Sequence, residues 1–222
     1  EVNPARYENT RKRIQKIVTR LAKVSDISEL PYEVVIFDKP DVANAYCLPG
    51  GKIGVFTGIF DKKNGLIDEN NDDEIAAVLG HEMAHATMRH VTRQMTTYNS
   101  VGLLGKILTM GISKGLGDNW AYLSQQVFNT GTFLYMPGYT RKHEKEADQV
   151  GFYYLAKAGF DERAAIDVWK RAALKAKEKG KDKTQFFDSH PASGERAQFL
   201  QSFLVDAEEV RKKQKIIREI KK

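Results

Sequence analysis

The sequence has little cysteine and no long apolar run. Its single cysteine, Cys47, excludes an internal disulfide and any zinc site built from several cysteines, and its apolar neighbours predict a small buried side chain. The longest apolar run, residues 101–112, contains Lys106 and is well short of the roughly 18 residues that span a bilayer. We therefore expect no transmembrane segment. No signal peptide is recognisable, but a start at Glu1 rather than Met is compatible with a removed targeting segment or lipid anchor.

Basic side chains exceed acidic ones, with 35 Lys and Arg against 29 Asp and Glu and a net charge of +6. The excess lies mostly at the two ends of the chain, in residues 11–23 and 211–222. Between Ile14 and Val24 apolar residues recur at helical spacing, so the basic residues there are expected to form the solvated face of an amphipathic helix. No aromatic residues interleave with these charges and no recognition motif accompanies them, which argues against a nucleic-acid partner.

The strongest chemical signal is the motif HEMAH at residues 81–85. On a helix, His81 and His85 lie about 40° apart on one face, close enough for both imidazoles to reach one Zn²⁺. Glu82 lies beside that metal position and is the candidate general base. It can take a proton from water that the metal activates and pass it to a leaving amine. The motif therefore predicts zinc-dependent hydrolysis of peptide bonds.

A third protein ligand must come from elsewhere in the chain. His90 lies about 180° from the first motif histidine on a continuous helix, so it is rejected as a ligand. Cys47 would suit a deformylase-like site with an upstream thiolate, but it lacks the Glu-Gly-Cys context of those enzymes. Glu144 and Asp148 are four residues apart on a second predicted helix, where Glu146 points away. One of the pair can bind zinc while the other accepts a hydrogen bond from a liganding histidine, and a fourth position stays open, as in catalytic zinc sites.

The segment before the motif predicts a small antiparallel sheet. Three β-rich runs lie at residues 32–37, 44–48 and 53–57, and the last two are joined by Pro49-Gly50-Gly51-Lys52, which is typical of a hairpin. A free edge of such a sheet is where an extended peptide substrate can add as another strand, although the hairpin could also be purely structural. The overall expectation is an α+β, mostly helical fold.

The motif helix is predicted to begin at the N-cap Asn71, with Glu74 completing a capping box, and to run to about Asn99. The Gly-rich residues 100–139 that follow are expected to form either a lid over the site or a surface for a membrane or partner. We expect one domain over residues 1–222. Its predicted segments are an N-terminal amphipathic helix at 1–30, the sheet and zinc-binding helices at 31–160, and C-terminal helices at 161–222.

Two polar residues near the C-terminus complete the candidate site. His190 and Arg196 flank a turn, and we expect both to act on the negative charge that develops during hydrolysis, with His190 the better donor. In an alternative role, His190 binds zinc in a resting state, since neutral imidazole is a good zinc ligand. The turn could also be purely structural.

Together these motifs resemble family forty-eight of the metallopeptidases, a gluzincin group that includes the CAAX prenyl endopeptidase and the HtpX, Oma and BepA-type proteins. The matching pieces are Asn44-Ala45 with Leu48-Pro49-Gly50-Gly51, Thr57-Gly58, residues 81–85, Arg141 to Asp148 with Gly151, His190-Pro191 and Arg196. The resemblance implies a zincin (minimal gluzincin) fold and one Zn²⁺ per chain, with His81, His85 and Glu144 as ligands and Asp148 supporting them. Thr140 stands where the family often has Ser and Cys47 where Ala is common, but no implied catalytic role depends on either.

The lack of membrane spans is most similar to the soluble BepA-like branch of that family. This resemblance implies export to the bacterial periplasm, or membrane association after export, and a role in protein quality control. The implied substrates are misfolded or membrane-associated polypeptides, with contact to a membrane or an outer-membrane assembly. A chaperone-like binding module that rarely cuts is the alternative function. An intact Glu82 argues against it, because loss of that base is the simplest route to such a module.

Overall fold

The computed structural model describes residues 1–90, 92–93, 139–178, 190 and 194–220. Six α-helices and three strands lie within these residues, so the predicted mostly helical α+β fold is confirmed. In chain order they are α1 (Glu8–Ala22), β1 (Glu33–Phe37), β2 (Ala45–Leu48), β3 (Lys52–Phe56), α2 (Asp72–Thr87), α3 (Arg141–Ala158), α4 (Arg163–Glu178), α5 (Gly194–Gln201) and α6 (Leu204–Ile220). The predicted lid or partner surface at 100–139 lies outside the described residues, except for its last residue.

The sheet is mixed, so the prediction of an antiparallel sheet is wrong for one strand. β2 and β3 form the predicted antiparallel hairpin, in which Gly50 and Gly51 take φ of 91° and 81°, a region that side chains disfavour. β1, however, pairs parallel with β3, and the strand order is β1-β3-β2. Residues 38–44 carry the chain past β3 rather than turning it tightly. β2 is therefore an edge strand, and β3 is central.

Helix α1 forms because its apolar residues repeat at helical spacing. Ile14, Ile17, Val18 and Leu21 are buried, and this stripe packs against β1 and α2. Most of the basic residues of α1 are exposed or half-buried, as the amphipathic pattern predicts. One apolar cluster takes residues from all six helices and from the sheet. That shared core is the basis on which we propose a single domain for residues 1–222 with the three segments given above.

Helix α2 begins at the predicted cap. The Asn71 side chain accepts hydrogen bonds from the backbone N–H groups of Asp73 and Glu74. Glu74 does not complete a capping box, because its carboxylate accepts from the Asp68 N–H and pairs with Arg171 of α4 instead. The N-terminus of the motif helix is thus tied to both the preceding loop and α4.

The same helix ends earlier than predicted. α2 stops at Thr87 instead of continuing to about Asn99, because Arg89 adopts a left-handed φ of 58° that an α-helix cannot contain. His90 consequently lies beyond a turn and returns toward the buried side of α2, where it is fully buried.

Helices α2 and α3 cross at two glycines. A Cβ built on Gly151 would lie only 2.9 Å from the carbonyl carbon of Gly80 and 2.9 Å from the backbone nitrogen of His81. Only glycine permits so close an approach, since any larger side chain would have to push the two backbones apart. The crossing brings the motif residues of α2 beside the acidic residues of α3.

The C-terminal region consists of three described helices. They are α4, α5 and α6, which lie in the segment 161–222 where C-terminal helices are predicted, and a break around Ser202 and Phe203 separates α5 from α6. α5 packs against α3 and α4, and α6 packs against α3. Within the described part of the chain, no helix has both the length and the apolar character needed to cross a membrane.

Candidate active site

The two motif histidines meet at one point on the buried face of α2. Their Nε2 atoms lie 3.1 Å apart, and the rings meet edge to face with centroids 4.6 Å apart. His81 and His85 are 1% and 0% exposed. Burial lowers the pKa of His85 well below its usual value, and a neutral ring is the form that binds metals.

Glu144 of α3 and His190 approach the same point. Glu144 Oε1 lies 3.2 Å from His85 Nε2, and Oε2 lies 3.5 Å from His81 Nε2. His190 Nδ1 lies 3.0 Å from Glu144 Oε1 and 3.3 Å from His81 Nε2. The four side chains, all buried, each offer one ligand atom, and these atoms lie within 4.8 Å of one another. The structure thus brings together the three expected ligands and His190, for which binding to zinc in a resting state is the alternative predicted role.

This donor set fits a zinc ion. Zinc binds imidazole nitrogen and carboxylate oxygen at about 2.0–2.2 Å, so neighbouring ligand atoms around a tetrahedral ion lie roughly 3.3 Å apart. The neighbouring donors of this cluster, between 3.0 and 3.5 Å apart, match that spacing. Family-type ligation by two histidines and a glutamate is therefore compatible with this fold, with His190 Nδ1 near a fourth position.

Glu82 lies on the same buried surface, one residue after His81. Its Oε1 lies 3.3 Å from His190 Nε2, and the side chain is 1% exposed. Burial raises the pKa of Glu82 to about 7, although His190 partly opposes that shift. A carboxyl group with a pKa near neutrality is well suited to take up and return a proton.

Asp148 and Arg196 lie directly behind the ligands. Asp148 Oδ1 is 3.0 Å from His81 Nδ1, and Arg196 binds the same carboxylate at 2.7 Å through Nε and 2.6 Å through Nη2. Arg196 Nη1 also lies 2.8 Å from Glu144 Oε2, and its guanidinium stacks 3.9 Å from the Trp169 ring centre. Although burial opposes ionisation, Arg196 lowers the pKa of Asp148, and His190 with Arg196 lowers that of Glu144.

Several site residues were missed from the sequence. Tyr139 stacks on His85 with ring centres 3.7 Å apart, and Trp169 reaches the site from α4. His90, although it lies outside the ligand cluster of the described residues, places Nδ1 3.0 Å from His85 Nδ1. Glu146, expected to point away, binds His90. No local pattern marks these residues, because a turn or a neighbouring helix brings each of them to the site.

Cys47 and β2 complete the surroundings. Cys47 is not part of the candidate metal cluster found in the described residues, and it is buried as expected. Burial raises the pKa of its thiol, which disfavours the thiolate form that a metal ligand requires. β2 is an edge strand of the sheet, and it packs against α2.

Comparison with known proteins agrees with this geometry. The chain is 31% identical over 202 residues to the mitochondrial metalloendopeptidase OMA1 of Schizosaccharomyces pombe, which covers 91% of this chain and 55% of that protein. It is 30% identical over 200 residues to the metalloprotease LoiP of Escherichia coli, covering 90% and 72% of the two chains. The chain spans about half the length, or less, of the mitochondrial relatives that it matches. The profile of peptidase family M48 matches residues 8–204, which confirms the resemblance noted above, and the chain therefore belongs to peptidase family M48.

Proposed function

We propose that this chain is a zinc-dependent endopeptidase that hydrolyses peptide bonds of polypeptide substrates. The observation that carries the proposal is the buried group of two imidazoles and a carboxylate at tetrahedral spacing, with the carboxyl group of Glu82 beside it. Relatives that align with 90–91% of this chain at 30–31% identity are named as metalloendopeptidases or metalloproteases. The chaperone-like alternative has no support in these relatives, and Glu82 is present.

In the proposed mechanism, His81, His85 and Glu144 hold the metal. Bound zinc supplies a Lewis acid that polarises the substrate carbonyl and makes water a better nucleophile at neutral pH. Glu82 accepts the proton of the attacking water and returns it to the leaving amine. Asp148 accepts a hydrogen bond from Nδ1–H of His81, which would leave the Nε2 lone pair available to bind a metal.

For His190 we propose the resting-ligand role in the arrangement described here. Its Nδ1 lies among the ligand atoms, and its Nε2 lies 3.3 Å from Glu82 Oε1. Both nitrogens are therefore engaged where substrate and water have to react. When His190 moves away from the cluster, the same ring can donate to the charge that develops on the substrate oxygen.

For Arg196 the contacts favour an indirect role. Its Nε and Nη2 bind Asp148 and its Nη1 lies against Glu144, so the guanidinium is directed at protein carboxylates. We propose that Arg196 is a positioning residue. In this proposal Arg196 acts through the two carboxylates. It does not contact the developing charge, which differs from the direct role that the sequence predicts.

The substrate backbone is proposed to add to β2. That strand is at the edge of the sheet and packs against the helix that carries His81 and Glu82. An added strand gains backbone hydrogen bonds that do not depend on sequence, while pockets for alternate side chains give specificity. An extended peptide on β2 would therefore pass near the candidate metal centre.

We propose a role in protein quality control, with misfolded or membrane-associated proteins as substrates. The relatives include both mitochondrial proteins and proteins of Escherichia coli, so periplasmic or membrane-associated localisation is a proposal that follows the bacterial relatives. Contact with a membrane or an outer-membrane assembly is part of the same proposal.

The proposed function is tested with the purified chain and casein. Cleavage should disappear when a chelator removes the metal and return when zinc is added. Glu82→Gln should keep its zinc and lose at least roughly 10²-fold in rate, because it removes the proton acceptor and no ligand. Glu29→Gln, an exposed glutamate, is the matched control and should cleave at the parental rate. Parental cleavage by Glu82→Gln, or by metal-free protein, would overturn the mechanism.

A further inference from the structure

His90 is a buried histidine without a place in the mechanism above. Its ring is 0% exposed and lies between His85 and Glu146. His90 Nδ1 is 3.0 Å from His85 Nδ1, and His90 Nε2 is 3.0 Å from Glu146 Oε2. The three side chains thus form a continuous line that runs from the candidate metal centre to the surface of α3.

The proton positions along this line follow from the candidate metal centre. His85 Nε2 faces Glu144 Oε1 at 3.2 Å and the other ligand atoms, so it must present a lone pair if it binds a metal. The one proton of a neutral His85 ring is then on Nδ1, which donates to Nδ1 of His90. His90 in turn carries its proton on Nε2 and donates it to the Glu146 carboxylate. Each nitrogen has one role, and no two protons face each other.

We propose that His90 and Glu146 are positioning residues, which fix the ring and the tautomer of His85 through a His85–His90–Glu146 chain. This inference rests on the proposed zinc function. It makes the two histidine ligands alike, because each has its Nδ1 tied to a carboxylate of α3. His81 meets Asp148 directly, whereas His85 reaches Glu146 through a second imidazole.

The turn after α2 makes this chain possible. Because Arg89 takes a left-handed φ of 58°, His90 does not continue around the helix but folds back onto His85. On its far side the His90 ring stacks on His143, with ring centres 4.4 Å apart and planes 17° apart. These contacts hold the His90 ring in the orientation that its two hydrogen bonds require.

The test compares two substitutions of His90 in the full chain. His90→Leu introduces an apolar side chain of moderate size that has no acceptor. His90→Gln introduces a side-chain carbonyl that can accept a hydrogen bond from His85. Lys142→Ala is the matched control, because it removes the ion pair that the exposed Lys142 forms with Glu146 Oε1 at 3.8 Å and leaves the histidine contacts in place. Zinc affinity is measured by competition with a chelator. Thermal unfolding of each metal-free protein reports any general loss of structure, and ¹⁵N NMR of the zinc-loaded parent reports the ring tautomers.

We expect His90→Leu to lower zinc affinity by roughly 10- to 100-fold, the range seen when groups that orient metal ligands are removed. His90→Gln should recover part of that loss, and Lys142→Ala should stay at the parental affinity. The NMR spectra should show a proton on Nδ1 of His85 and on Nε2 of His90.

Parental zinc affinity in His90→Leu would overturn the inference while leaving the proposed function intact, whereas a parent that binds no zinc would overturn the proposed function itself. If His90→Leu fails to fold, the tautomers of the parent decide, and a proton on Nδ1 of His90 would overturn the chain.

Discussion

The glycine crossing of α2 and α3 should control both stability and metal affinity. The three atoms nearest to a Cβ on Gly151 would all be backbone atoms, at 2.9–3.0 Å, and no change of rotamer can relieve those contacts. Carbon atoms in contact normally lie about 3.5–4.0 Å apart, so Gly151→Ala requires the helices to separate locally by roughly 0.5–1 Å. Such overpacking costs about 1–3 kcal/mol, and the better helix propensity of alanine offsets at most about 1 kcal/mol of it.

That separation would also move Glu144 away from His81 and His85. Metal–ligand distances tolerate only about 0.2 Å, so we expect Gly151→Ala to lower zinc affinity at least roughly tenfold. Gly80→Ala is the matched control. Its Cβ would meet Leu155 Cδ1 at 2.8 Å, the end of a side chain that can rotate, so its stability should stay within about 1 kcal/mol of the parent.

Thermal unfolding of the metal-free proteins and a zinc competition titration measure the two effects. A loss of 1 kcal/mol lowers Tm by roughly 2–4 °C in a chain of this size. If Gly151→Ala and Gly80→Ala give the same Tm and the same zinc affinity, the close crossing does not set the ligand geometry.

Three further predictions concern single side chains. Glu144→Gln should reduce bound zinc in elemental analysis, because a neutral amide replaces an anionic ligand, and undiminished zinc would exclude Glu144 as a ligand. In steady-state kinetics, His190→Ala should lower kcat with little change in KM if His190 stabilises the transition state, and raise the rate if it only inhibits at rest. Unchanged kinetics in both His190→Ala and Arg196→Ala would exclude a role for either residue. Burial raises the pKa of Tyr154 to about 12, so the folded chain keeps a proton that the unfolded chain loses near pH 10, and stability should fall as pH rises between these values. Tyr154→Phe should lack that part of the fall in denaturant titrations, and an unchanged slope would contradict the assignment.

The parts of the site that could be predicted are those with local causes. His81 and His85 share a face because four residues make about one turn, and the Asn71 cap follows from the preference of asparagine for that position. Glu144 and Asp148 share a face of α3 for the same reason as the motif histidines. The hairpin between β2 and β3 follows from its glycines, whose positive φ the turn requires.

Other features depend on contacts distant in sequence. The position of β1 beside β3 depends on the path of residues 38–44, and nothing in that loop specifies with which strand of the hairpin β1 pairs. The early end of α2 could not be predicted, because the residue that adopts the left-handed conformation is Arg89 rather than a glycine, and no proline marks the end. The predicted helix continued past Arg89, and this is why the prediction placed His90 on the face opposite His81 rather than beside His85. Trp169 and Tyr139 reach the site only once the helices have packed.

The carboxylates that support the two histidine ligands differ in burial. Asp148, which contacts His81, is fully buried and is bound through two hydrogen bonds by the buried Arg196. Removing one partner of such a pair leaves an uncompensated buried charge, which costs about 3–5 kcal/mol, so the support of His81 is also part of the stability of the core. Glu146, at the end of the His85–His90 chain, is 29% exposed and can be solvated. A substitution that weakens the support of His85 through Glu146 should therefore lower metal affinity with little loss of folding stability. A substitution that weakens the support of His81 should lower both.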